Sequence, residues 1–89
     1  MEASSLEQLI ASAIPGAQVD ARDLNGGGDH FEVTVVSDRF EECSHVERHR
    51  MIYSALGDAM EGAIHALTIS ALTPAQYGAG LVDKIDTSK

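Results

Sequence analysis

Four histidines and one cysteine carry most of the chemical reach of this sequence: His30, His45, His49, His65 and Cys43. A neutral imidazole is a ligand for zinc, copper or iron. His30 follows directly on Gly26-Gly27-Gly28-Asp29, and His65 opens the aliphatic stretch Ile64 to Leu72. If both stretches are neighbouring parallel strands, their starts lie at the same end of a sheet, and the two imidazoles can approach one ligand. The pair suits a metal ion, or the nitrogen half of a two-His, two-Cys [2Fe–2S] centre. Two ligands alone hold a metal loosely, so a partner would supply the rest. The plainer alternative makes His30 a solvated loop residue and His65 a half-buried one.

The remaining candidates are weaker. His45 and His49 are four residues apart and share a helix face. The run His45-Val46-Glu47-Arg48-His49 is not HExxH, and Arg48 and Arg50 beside the second histidine oppose a cation. Cys43 stands before a helix start, but no base and oxyanion set accompanies it, which argues against cysteine catalysis. Arg39, Arg48 and Arg50 hold three of the six basic residues. They could contact phosphate or carboxylate. Glu41, Glu42 and Glu47 balance them, so a solvated face of local ion pairs reads equally well. No G-x-x-G occurs, and with it the phosphate clamp of KH-type RNA binders is missing.

These residues need elements to position them. Ser4-x-x-Glu7 reads as a capping box opening a helix whose Leu6, Leu9, Ile10 and Ala13 share a face until Pro15-Gly16. Ala17 to Leu24 alternates as a half-buried strand. Asn25 to Asp29 is a turn, and His30 to Ser37 is the clearest strand, with Phe31, Val33 and Val35 on one side. Asp38 to Cys43 is a polar connection. Ser44-x-x-Glu47 caps a second helix running to about Met60, with Val46, Tyr53, Leu56 and Met60 near one face and Gly62 as its stop. Ile64 to Leu72 is the third strand. Thr73-Pro74-Ala75-Gln76 starts a short last helix. The order α-β-β-α-β-α contains a right-handed β-α-β unit. It predicts an α+β domain with a three-stranded mixed sheet and helices on one face. Residues 1–80 form that domain, and 81–89 read as a polar, flexible C-terminal tail.

Size and charge narrow the function. Eighty-nine residues make one small domain, too small for a deep enclosed active site. A net charge of −8 disfavours nucleic acid unless a basic patch is segregated. One cysteine excludes an internal disulfide and fits a reducing, cytoplasmic setting. The N-terminal residues show no signal-peptide pattern, and no apolar run is long enough to span a membrane.

Together, His30-Phe31-Glu32-Val33, Val36-Ser37-Asp38-Arg39-Phe40, Arg48-His49-Arg50-Met51-Ile52-Tyr53, Ile64-His65-Ala66-Leu67 and Leu72-Thr73-Pro74-Ala75-Gln76 resemble the BolA family in order and spacing. The resemblance covers Leu6 to Tyr77. It departs at Glu42, where the family usually has glycine, and at Tyr77, where the aromatic is often tryptophan. It implies a KH-like domain and partnership with a monothiol glutaredoxin. It also implies a [2Fe–2S] cluster shared with that partner and glutathione, with none held by the isolated protein. The third-strand histidine, here His65, matches the family's recurrent ligand, and His30 matches the loop ligand. Arg48, His49 and Arg50 would form a docking or supporting surface. The implied role is that of a non-catalytic adaptor in cluster trafficking or iron and redox regulation. The rival is a DNA-binding transcriptional regulator using Arg39, Arg48 and Arg50. A weak homodimer is a further option.

Overall fold

The computed structural model describes residues 1–60, 62, 64, 66–78 and 84–88, the last five by their backbone. Helix α1 (Ala3–Ala13) is followed by strands β1 (Gln18–Asp23) and β2 (His30–Val36), a 3-10 turn over Asp38–Glu42, helix α2 (His45–Leu56) and a second 3-10 turn over Gly57–Met60. Strand β3 (Ala66–Leu72), helix α3 (Pro74–Gly78) and strand β4 (Lys84–Ser88) complete the order. The sheet runs β1-β2-β3-β4. β1 pairs antiparallel with β2, and β2 pairs parallel with β3, as the β-α-β reading requires.

Alternation sets the faces. Phe31, Val33 and Val35 of β2 and Leu67, Ile69 and Ala71 of β3 are fully buried. They meet Leu6, Ile10 and Ile14 from α1 and its end, and Ile52 and Leu56 from α2. On the other face Glu32, Thr34 and Thr68 stay half-buried. Ser44 and Glu47 make the expected reciprocal capping box. Thr73 and Gln76 do the same at α3: Gln76 N donates to Thr73 Oγ1 at 3.2 Å, and Thr73 N to Gln76 Oε1 at 3.0 Å.

Four local expectations are corrected. Helix α1 starts at Ala3 with Glu2 as cap and no side-chain cap bond. Glu7 is thereby released from a capping box, and its Oε2 accepts from Ala21 N of β1 at 2.9 Å. A carboxylate on that N–H blunts an edge strand. Helix α2 ends at Gly57 rather than near Met60. Gly57 adopts φ +51°, a conformation that ends helical progression and that side-chain-bearing residues rarely take. The buried face of α2 is Arg48, His49, Ile52 and Leu56, whereas Val46 is 60% exposed. Lys84–Ser88 is a fourth strand, antiparallel to β3, not a tail. An unpaired β3 edge offers a row of backbone donors and acceptors that a nearby extended segment can satisfy. Residues 81–83 and 89, also assigned to the tail, lie outside the described residues.

Candidate functional site

His30 is the first residue of β2, and the hairpin turn hands it to the sheet. Its backbone is fixed on both sides. Leu24 N donates to the His30 carbonyl at 2.8 Å, and Ala66 N donates to the Asp29 carbonyl at 3.1 Å. The turn itself is ordered by Asp23. Its Oδ1 accepts from Asn25 N at 3.3 Å and Gly26 N at 2.9 Å, and its Oδ2 accepts from Gly28 N at 2.8 Å. Asn25 Oδ1 accepts from Gly27 N at 2.9 Å. Gly26 and Gly28 have φ +76° and +75°, which is why glycine recurs in this turn.

The His30 side chain is 37% exposed, with Nε2 3.7 Å from Asp29 Oδ2. That distance is within ion-pair reach but beyond a hydrogen bond. The imidazole's borderline nitrogen donor suits iron, copper or zinc. In the parallel register His30 faces Ala66, the residue after His65 in the sequence. His65 itself lies outside the described residues. Among the described residues no three histidine, cysteine or acidic side chains are grouped to hold a metal ion. His30 is thus a half-exposed nitrogen donor at the end of the sheet where β2 and β3 start.

The arginine cluster divides. Arg39 and Arg50 are exposed, as a contact surface needs. Arg48 is only 6% exposed and His49 only 7%, so neither is the surface residue expected. Arg48 Nε donates to the Cys43 carbonyl at 3.2 Å. Its Nη1 donates to the Ala71 carbonyl at 3.1 Å and to Gln76 Oε1 at 2.9 Å. The guanidinium also lies 5.7 Å from the centroid of Phe40, which is fully buried in the segment read as a polar connection. This is a cation held by carbonyl dipoles and an aromatic face. It ties α2, β3 and α3 together. Sequence reasoning missed Phe40 as core. Its signal was a lone aromatic between charged residues, which a short 3-10 turn points inward. Cys43 is partly buried, and its thiol donates to the Arg39 carbonyl at 3.4 Å. The helical pair His45/His49, which the sequence already disfavours as a metal site, also separates, because His45 is exposed while His49 is buried.

Comparison with known proteins fits this architecture. The model of the family described as BolA-like protein matches residues 11–76. A BolA-like protein 1 from Pongo abelii is 49% identical over 92 residues, covering 96% of this chain and 63% of that protein. The Escherichia coli DNA-binding transcriptional regulator BolA is 40% identical over 63 residues, covering 71% of this chain and 59% of that one. The structure of a BolA homologue from Coxiella burnetii superposes with a TM-score of 0.74 at 34% identity, covering 88% of this chain and 97% of that one. The chain spans between 38% and 63% of the length of the four mammalian BolA-like relatives compared. No described helix is long and apolar enough to cross a membrane. From the matched residues and the shared fold, this chain belongs to the BolA-like protein family.

Proposed function

We propose that the protein is a non-enzymatic adaptor that docks a monothiol glutaredoxin and contributes imidazole to a shared [2Fe–2S] cluster, its cargo in cluster trafficking or iron and redox regulation. His30 and His65 are the ligands in this reading. The glutaredoxin cysteine and glutathione complete the sphere. The supporting observation is the parallel β2–β3 register, which sets His30 opposite Ala66, next in sequence to His65. A half-exposed imidazole is the nitrogen donor that a two-His, two-Cys cluster uses. Nitrogen ligation gives a higher reduction potential than four thiolates. It also makes binding fail on acidification, because a protonated imidazole cannot ligate. The adaptor would work in the reducing cytoplasm.

The test is anaerobic reconstitution with a monothiol glutaredoxin and glutathione. Wild type should give a coloured 1:1 complex, and His30→Ala and His65→Ala should each alter the visible spectrum and shorten cluster lifetime. Unchanged spectra and lifetimes in both variants would remove the ligand assignment.

A DNA-binding role is the second reading, favoured by the Escherichia coli relative. Burial of Arg48 leaves Arg39 and Arg50 as its exposed cations on a chain of net charge −8. It predicts affinity that falls steeply with salt and weakens in Arg50→Ala. A flat titration at low salt eliminates it.

A further inference from the structure

The turn before His30 is unusual in how it is held. Three consecutive glycines should leave it loose, since ordering glycine costs more backbone entropy than any other residue. Three groups oppose that tendency: Asn25 Oδ1 accepts from Gly27 N at 2.9 Å, the Met1 ammonium donates to the Gly28 carbonyl at 3.0 Å, and the carboxylate of Asp23 makes the most bonds. Asp23 accepts three backbone N–H groups, from Asn25, Gly26 and Gly28, at 2.8 to 3.3 Å. Hydrogen bonds to a charged acceptor are stronger than neutral ones. Asp23 is exposed at the end of β1, outside the hydrophobic core. Its effect is local: it closes the turn whose ends meet at Leu24 N and the His30 carbonyl.

We infer that Asp23 is the positioning residue of the His30 rim: its carboxylate clamps the glycine turn and so fixes where the His30 imidazole is presented to a shared metal cluster. This rests on the adaptor reading for its functional consequence, but the clamp itself does not. The described bonds of the Asp23 carboxylate go to the turn backbone, so it acts through His30. Removing it frees the turn N–H groups to water at little folding cost. The strand bonds at Leu24, Asp29 and Ala66 remain, but the turn that leads into His30 loosens, and a rim that must be ordered on each binding event holds its ligand more weakly.

Two measurements on the full chain test this. The first needs no cluster. Backbone NMR order parameters over residues 25–30 should be near the rigid value in wild type and fall below about 0.6 in Asp23→Ala. Asp23→Asn, which keeps one acceptor oxygen, should be intermediate. The thermal midpoint should stay near that of wild type in both. The second uses the cluster reconstituted with a monothiol glutaredoxin and glutathione. Asp23→Ala should shorten its lifetime about two- to tenfold, the range that ordering one more side chain on binding costs. In a His30→Ala background the same substitution should change nothing further. Rigid order parameters in Asp23→Ala, or a lifetime effect that persists without His30, overturns the inference. If His30→Ala alone leaves lifetime and spectrum unchanged, it is the adaptor reading that fails, and the order parameters still decide whether Asp23 holds the turn.

Discussion

The two ends of the β2–β3 pair are built on opposite principles. At the end where the strands finish, Phe40, Arg48, Thr73 and Gln76 are buried or half-buried and bonded across segments as much as 28 residues apart. At the end where they start, about 20 Å away at the usual rise per residue, the turn is exposed and glycine-rich. Its order comes mostly from side-chain bonds of at most five residues' separation, with the Met1 ammonium on the Gly28 carbonyl and Ala66 N on the Asp29 carbonyl as its long-range ties. The contrast teaches that the rim carrying His30 can be altered with little consequence for the fold, whereas the closed end cannot. Binding residues on loops held by a rigid scaffold follow the same division.

Three substitutions probe that contrast. The largest effect belongs to Phe40→Ala. It removes a fully buried ring and the surface under the Arg48 guanidinium, and should cost about 3–5 kcal/mol by denaturant unfolding. A loss below ~1 kcal/mol would mean the closed end is not a packing centre. Next comes Arg48→Ala, which removes the guanidinium from the Cys43 and Ala71 carbonyls and leaves Gln76 Oε1 with Thr73 N alone, and should cost about 2–3 kcal/mol. Arg48→Lys should recover only part of this, because an ammonium lacks the planar fork that reaches three acceptors. If Arg48→Ala were as stable as wild type yet lost nucleic-acid binding, the surface role expected from the sequence would be restored. The smallest effect on stability is His30→Ala, within about 0.5 kcal/mol, as for a surface substitution outside the core. A drop of several kcal/mol there would erase the difference between the two ends.

The arginines show why part of the site was legible and part was not. Arg39, Arg48 and Arg50 are equivalent as a sequence pattern, three cations among balancing glutamates. The helix turns Arg48 inward, and its acceptors, Cys43, Ala71 and Gln76, come from three different segments. No local spacing encodes that convergence. The same holds for Glu7. As part of Ser4-x-x-Glu7 it reads as a capping residue, yet its partner is Ala21, fourteen residues on. Capping is legible when all the bonding groups are local, as at Ser44–Glu47 and Thr73–Gln76.

What the sequence determined by itself was periodic or local: the alternation of Phe31, Val33 and Val35, the β-α-β order that makes β2 and β3 parallel, two of the three capping boxes, and the place of His30 at the head of a strand behind a glycine turn. These follow from backbone geometry, which repeats every two or 3.6 residues and leaves its mark on neighbouring side chains. Only the tertiary structure decided that Phe40 is core, that Arg48 is a buried tie and that Lys84–Ser88 completes the sheet. Each of those depends on which donors and acceptors folding leaves unsatisfied, a property of the assembled backbone rather than of the order of residues along it.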